Sequence, residues 1–119
     1  MLTIPPASKV YLATSPVDFR KHAKGLKKWV QNELQLNPFS NAYFIFFSKN
    51  RKGIKILHFD GQGICLYWKY LSQGKFQQFS EVHDAALKYI SIHPTKGQVM
   101  LMNGDPQQLK IPDNWREIS

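Results

Sequence analysis

Cysteine is almost missing from this chain: Cys65 stands alone among 119 residues. No internal disulfide can form, and a lone thiol suits a reducing compartment, so a cytoplasmic protein is expected. Long apolar runs are missing too. No window approaches the roughly 18 apolar residues of a membrane span, and the opening MLTIPPASKVYLATSP lacks a basic stretch ahead of an apolar one, so neither export nor insertion is expected. There is no Cys-x-x-Cys, and His22, His58, His83 and His93 never fall four apart on one expected helix. That leaves no zinc signature and no implied cofactor. A glycine-rich phosphate loop is absent, because Gly61-x-Gly63 joins two apparent strands with no helix after it. Carboxylates are scarce, eight in all. A nuclease or transposase needs several of them converging on divalent cations. Here Asp18 and Asp60 have structural explanations, and Glu81 and Asp84 are the closest remaining pair. We expect no catalytic residues, no metal and no enzyme.

What is present is a globular composition, 43% apolar and 20% charged, in a length that fits a single domain spanning residues 1–119. Sixteen Lys and Arg leave a net charge of +8, enough to give the molecule an attractive field for polyanions. The surplus is uneven. From Lys9 to Lys75 twelve basic residues face three acidic ones, a net of +9, whereas residues 76–119 carry four against five. Such asymmetry points to one part of the fold meeting a polyanion. No internal repeat or low-complexity tract interrupts the chain.

Local patterns predict the elements. Val10–Ala13 reads as a strand. After it, Ser15 is placed to cap a helix, with Pro16 at its first position and Asp18 completing a capping box. The helix is expected from Val17 to about Gln35, with Phe19, Ala23, Leu26, Val30 and Leu34 on its core face. Leu36-Asn37-Pro38 ends it. Three strands follow, 42–47, 54–59 and 64–71, joined by the polar tip 48–53 and by the turn Asp60-Gly61-Gln62-Gly63. Lys75-Phe76 is expected to begin a further short strand or edge. Residues 87–92 alternate like another, Pro94–Met102 suits a short helix, and the tail from Asp105 is expected to be extended. The fold class is therefore α+β: an antiparallel meander of three to five strands packed against one amphipathic N-terminal helix, with a short C-terminal helix.

Basic side chains gather on three of these elements. Arg20, Lys24, Lys27 and Lys28 lie opposite the helix core face with Lys21 at its margin, and none has an acidic partner four residues on. Lys49, Arg51 and Lys52 form the first hairpin tip, and Lys55 continues from it. Lys69 and Lys75 lie on or just beyond the third meander strand. These eleven are the candidate nucleic-acid contacts. Such a charged face is equally well read as a solvated one. Tyr67, Trp68 and Tyr70 interleave with Lys69, a pattern compatible with stacked bases but commoner in cores.

The order of residues resembles a known family. Asp18-x-Arg20-Lys21, Gly25-Leu26, Pro38-Phe39-Ser40, Phe44-x-Phe46, Asn50-Arg51-x-Gly53, Lys55-x-Leu57-x-x-Asp60-x-x-Gly63, Leu66-x-x-Lys69-x-Leu71 and Gly74-x-Phe76 follow one another. Together they are similar to the TnpB accessory protein, the second open reading frame, of insertion sequences of the sixty-six type. The resemblance covers about residues 10–76. It departs at Asn41, where the family favours Gly, at Tyr70 and Lys75, where it favours Arg, and at Gln77-Gln78, where it favours Trp-Pro. Losing Arg at position 70 removes one charge and a bidentate donor. The resemblance implies a non-catalytic accessory role in DNA transposition beside the transposase of the same element. Two readings remain open: direct contact with DNA phosphates, or docking on that transposase without touching DNA. Oligomeric state is left open by both.

Overall fold

The computed structural model describes residues 2–77 and 87–103. Glu81, His83, Asp84 and the tail from Asp105 lie outside the described residues. Five strands form one sheet in the order β4-β3-β2-β1-β5: β1 Val10–Ala13, β2 Tyr43–Phe47, β3 Gly53–Phe59, β4 Ile64–Tyr70 and β5 Tyr89–Ile92. Helix α1, Ala23–Trp29, runs into a π-helical turn over Val30–Leu34, and helix α2 spans Pro94–Asn103. The architecture is the expected α+β, and β2, β3 and β4 are the expected antiparallel meander. One pairing differs from the simple meander. β1 lies parallel to β2, reached through α1, and antiparallel to β5. A parallel neighbour requires a long crossover, which α1 supplies.

Strand β2 is buried at all five positions, because the sheet is covered on both faces. Against one face α1 and its extension press Leu26, Val30 and Leu34 onto Phe44, Phe46 and Leu57. Against the other lie Ile4, Phe76 and Leu101 of α2, over Val10, Ile45 and Ile56. Helix α2 comes close at Gly97, where an added Cβ would sit 3.4 Å from both Ile45 and Val10. The continuous apolar run of β2 thus follows from a three-layer packing.

The first helix is shorter than its sequence pattern. It starts at Ala23, not Val17, and His22 precedes it without a side-chain cap. Residues 17–22 instead form a loop. The Val17 N–H donates to the Phe47 carbonyl at 3.0 Å. Asp18 accepts the Arg20 N–H at 2.9 Å, closing a local turn that replaces the expected capping box. At Lys75-Phe76, where a strand or edge is expected, no strand forms among the described residues: the Phe76 N–H donates to the Arg51 carbonyl at 2.7 Å without a ladder.

Candidate nucleic-acid interface

The eleven sequence candidates separate by what their charged atoms touch. Lys55 points inward from β3 and is fully buried. Its ammonium donates to the carbonyls of Phe19 at 2.8 Å and Lys21 at 2.7 Å. It also lies 4.8 Å from the ring centres of both Phe19 and Trp68. Burial lowers its pKa, and the nearby Asp18 charge opposes that shift. Those carbonyls are the ones a helix starting at Val17 would have needed for its own ladder, so this lysine holds the loop in place of helix.

Arg51 and Lys69 are likewise committed internally. Arg51 sits in the left-handed region, at φ 59°. Its guanidinium donates to the carbonyls of Phe76 and Gln77 and stacks over Phe47, and burial lowers its pKa. It staples the segment after β4 to the hairpin tip. Lys69 reaches across from β4 to donate to the Leu101 carbonyl at 2.7 Å, in the last turn of α2, and burial again lowers its pKa. There a cation satisfies an orphan carbonyl and complements the helix dipole. These three side chains spend hydrogen bonds of their charged groups inside the fold.

The other eight reach the surface. Lys21, Lys24 and Lys28 are exposed along α1 and its approach, and Lys27 lies over the Phe39 ring at 5.6 Å. Lys49 is exposed and Lys52 half-buried on the hairpin tip, and Lys75 is exposed after β4. Arg20 is exposed but paired, at 2.7 Å, with Asp18. That contact holds the Asp18 carboxyl well below the usual carboxylate range and raises Arg20. Elsewhere Lys88 pairs with Glu33 at 3.4 Å.

Because α1 begins six residues late, one end of its sheet face stays uncovered. A groove of about 420 Å³ opens there between the 17–22 loop, the hairpin tip and the end of β4, and it is lined by Asp18, Phe19, Arg20, Lys49, Trp68 and Tyr70 among others. Trp68 and Tyr70 alternate onto this face and are each 56% exposed. Tyr67 points the other way and packs on the opposite core, so the three interleaved aromatics do not make one platform. The Asn50 amide donates to the Tyr70 hydroxyl at 3.2 Å, fixing that ring. Phe19 closes in over Gly53, where an added Cβ would lie 2.5 Å from its ring. Its spacing in the sequence puts Phe19 on a helix core face, and nothing local signals its place in a groove.

The thiol of Cys65 is exposed and donates to Asp60 at 3.5 Å. That hydrogen bond, together with partial desolvation, raises its pKa, the opposite of what a reactive thiolate needs.

Comparison with known proteins agrees with the residue pattern. The model of the IS66 Orf2 like protein family matches residues 8–110. The chain belongs to this family. Its relatives include the uncharacterized protein y4jC of Sinorhizobium fredii (strain NBRC 101917 / NGR234), 37% identical over 79 residues, 66% of this chain and 67% of that protein. The uncharacterized protein y4hO of the same strain is 37% identical over 68 residues, 57% of this chain and 59% of that protein. No solved structure matches. The family match extends well beyond residue 76, so the near-neutral third belongs to it as well, and the charge division falls inside the family region. IS66 Orf2 like proteins are an accessory family of insertion sequences, which implies a role in transposition, and they are not a known enzyme family. Asn41 has φ 70°, in a region that Asn is among the few residues to tolerate. No helix among the described residues is long and apolar enough to cross a membrane.

Proposed function

We propose that this protein serves transposition as a non-catalytic factor that holds DNA by its phosphates, through the outer face of α1 and the tip of the β2–β3 hairpin. The observation carrying this reading is the uncompensated charge of that surface. Eight of the eleven candidate cations are at least partly exposed, most of them on α1, its approach and the hairpin tip, and of these eight only Arg20 has a carboxylate partner among the described residues. Helices that are merely solvated usually mix signs along a face. Phosphate contacts of this kind are sequence-tolerant and release counterions, so affinity falls steeply with salt.

The test is fluorescence anisotropy of a labelled 20-base-pair duplex between 50 and 200 mM NaCl. With about six phosphates neutralised, affinity should fall on the order of 10³-fold over that range. Replacing Lys24, Lys27 and Lys28 together with Gln should flatten the slope by up to about three contacts. Affinity insensitive to salt, or no binding at 50 mM, would sink the reading.

A second reading has one observation of its own. Among the described residues β4 is a terminal strand of the sheet, and a sheet edge invites a strand from a partner. On that reading the protein docks on the transposase of its element through β4. The triple Gln variant separates the two, since docking through β4 should survive it.

A further inference from the structure

We infer that the groove between the 17–22 loop, the hairpin tip and β4 is a site for an unpaired nucleotide of single-stranded DNA, with the base stacked on Trp68 and Tyr70 and a neighbouring phosphate held by Lys49 and Arg20. The inference rests on the DNA-binding reading above and narrows it to one strand form at one place.

The argument begins with the rings. Two aromatic side chains more than half exposed, side by side on one face of a strand, expose apolar surface that a folded chain ordinarily covers. They are also held still: Asn50 fixes the Tyr70 hydroxyl, and Lys55 sits against Trp68. Rings fixed before binding lose little freedom when a ligand arrives. The volume, about 420 Å³, falls within the roughly 300–1,000 Å³ common for small-ligand sites.

Electrostatics then select among flat or apolar ligands. The Lys55 ammonium lies over the Trp68 ring at 4.8 Å, and so draws on the negative face that would otherwise attract a cation. Lys49 and Arg20 line the same groove and repel cations as well. A quaternary ammonium or a basic peptide is therefore disfavoured, and a neutral ring joined to an anion is favoured. Arg20 gives Nε and one terminal nitrogen to Asp18, while Nη1 has no partner among the described residues. Asp18 is the one carboxylate in the wall, and its charge is offset by that pair. A nucleotide supplies the neutral ring and the anion together. In a duplex the base faces are taken up in the stack, so only an unpaired base can use the rings.

The experiment compares three labelled probes at 50 mM NaCl by anisotropy: dT12, an abasic 12-mer of the same charge, and a 12-base-pair duplex. The expected result is dT12 binding at least fivefold tighter than the abasic strand. Trp68→Ala and Tyr70→Ser should each weaken dT12 by about 5- to 150-fold, the range of one lost stack, while changing abasic and duplex affinity less than twofold. Tyr70→Ser alters an exposed side chain, so it gives a result even where Trp68→Ala disturbs packing over Lys55. Equal affinity for dT12 and the abasic strand, or a Tyr70→Ser protein that keeps its dT12 affinity, would overturn the inference. If the duplex binds and responds to the lysine variants while dT12 gains nothing, the base site alone is withdrawn. If no probe binds, the phosphate reading fails with it.

Discussion

An ammonium withdrawn from water costs several kcal/mol unless its hydrogen bonds and charge are answered where it comes to rest. Lys55 is answered by two carbonyls and two rings. Among the described residues no buried side-chain nitrogen or oxygen lacks a partner. In sequence this lysine is one more positive charge beyond a hairpin tip. Its inward direction comes from strand alternation, because β3 places it opposite Phe46 and Trp68, and its partners lie 34 and 36 residues away. No local pattern announces partners so distant. Lys55→Met keeps the stem and removes the donor, leaving two carbonyls whose loss is worth roughly 1–3 kcal/mol each where water cannot replace it. We expect urea unfolding to show a destabilisation of about 2–4 kcal/mol. A variant as stable as the parent would show that the loop does not depend on this ion. Gly53→Ala acts on the same loop from the opposite side by pushing Phe19 off the strand. It should cost about 1–3 kcal/mol through overpacking, read in the same assay.

At the scale of elements, strands and turns were legible and the helix start was not. Asp60 shows why turns read well: its carboxylate accepts the N–H groups of Gln62 and Gly63, both at 2.9 Å, two and three residues on. Everything that turn needs lies within four residues. The 4-residue spacing of Leu26, Val30 and Leu34 was enough to place the core face of α1. Ser15, Pro16 and Asp18 also satisfied every local rule for a helix start, but Val17 is claimed by β2 and the following carbonyls by Lys55. The candidate site inherits this difference, because the groove exists only where the helix is missing. Lys69 shows the same limit. Beside exposed aromatics it read as a phosphate ligand, yet it ties β4 to the last turn of α2. Lys69→Met should therefore lower stability by about 1–3 kcal/mol, the worth of a hydrogen bond from a charged group, and leave duplex affinity within twofold of the parent. A stable variant with weakened DNA binding would return Lys69 to the interface.

Over the whole molecule, the +8 charge makes the few carboxylates influential beyond their number. Asp18 is held below its ordinary value first by its hydrogen bonds with Arg20, and Asp60 first by the N–H groups of its turn. A carboxyl with a lowered native pKa stabilises the fold in full above its unfolded value near 4. Below that pH the unfolded chain binds protons that the native chain does not, so stability falls as the pH drops through the depressed native values. Protonation also raises a positive charge that already repels itself. Thermal unfolding should therefore show a falling midpoint as the pH goes from 4.5 to 2.5. Asp18→Asn retains an oxygen for the Arg20 N–H but gives up the titrating group, so its midpoint should fall less over the same range. At neutral pH the same substitution removes the negative charge beside Arg20 and frees the guanidinium toward the groove. On the DNA-binding reading, affinity for dT12 at 50 mM NaCl should then rise by about two- to fivefold, with the gain shrinking at 200 mM as salt screens the added charge. A variant that matches the parent in acid and binds no tighter would remove Asp18 from both roles.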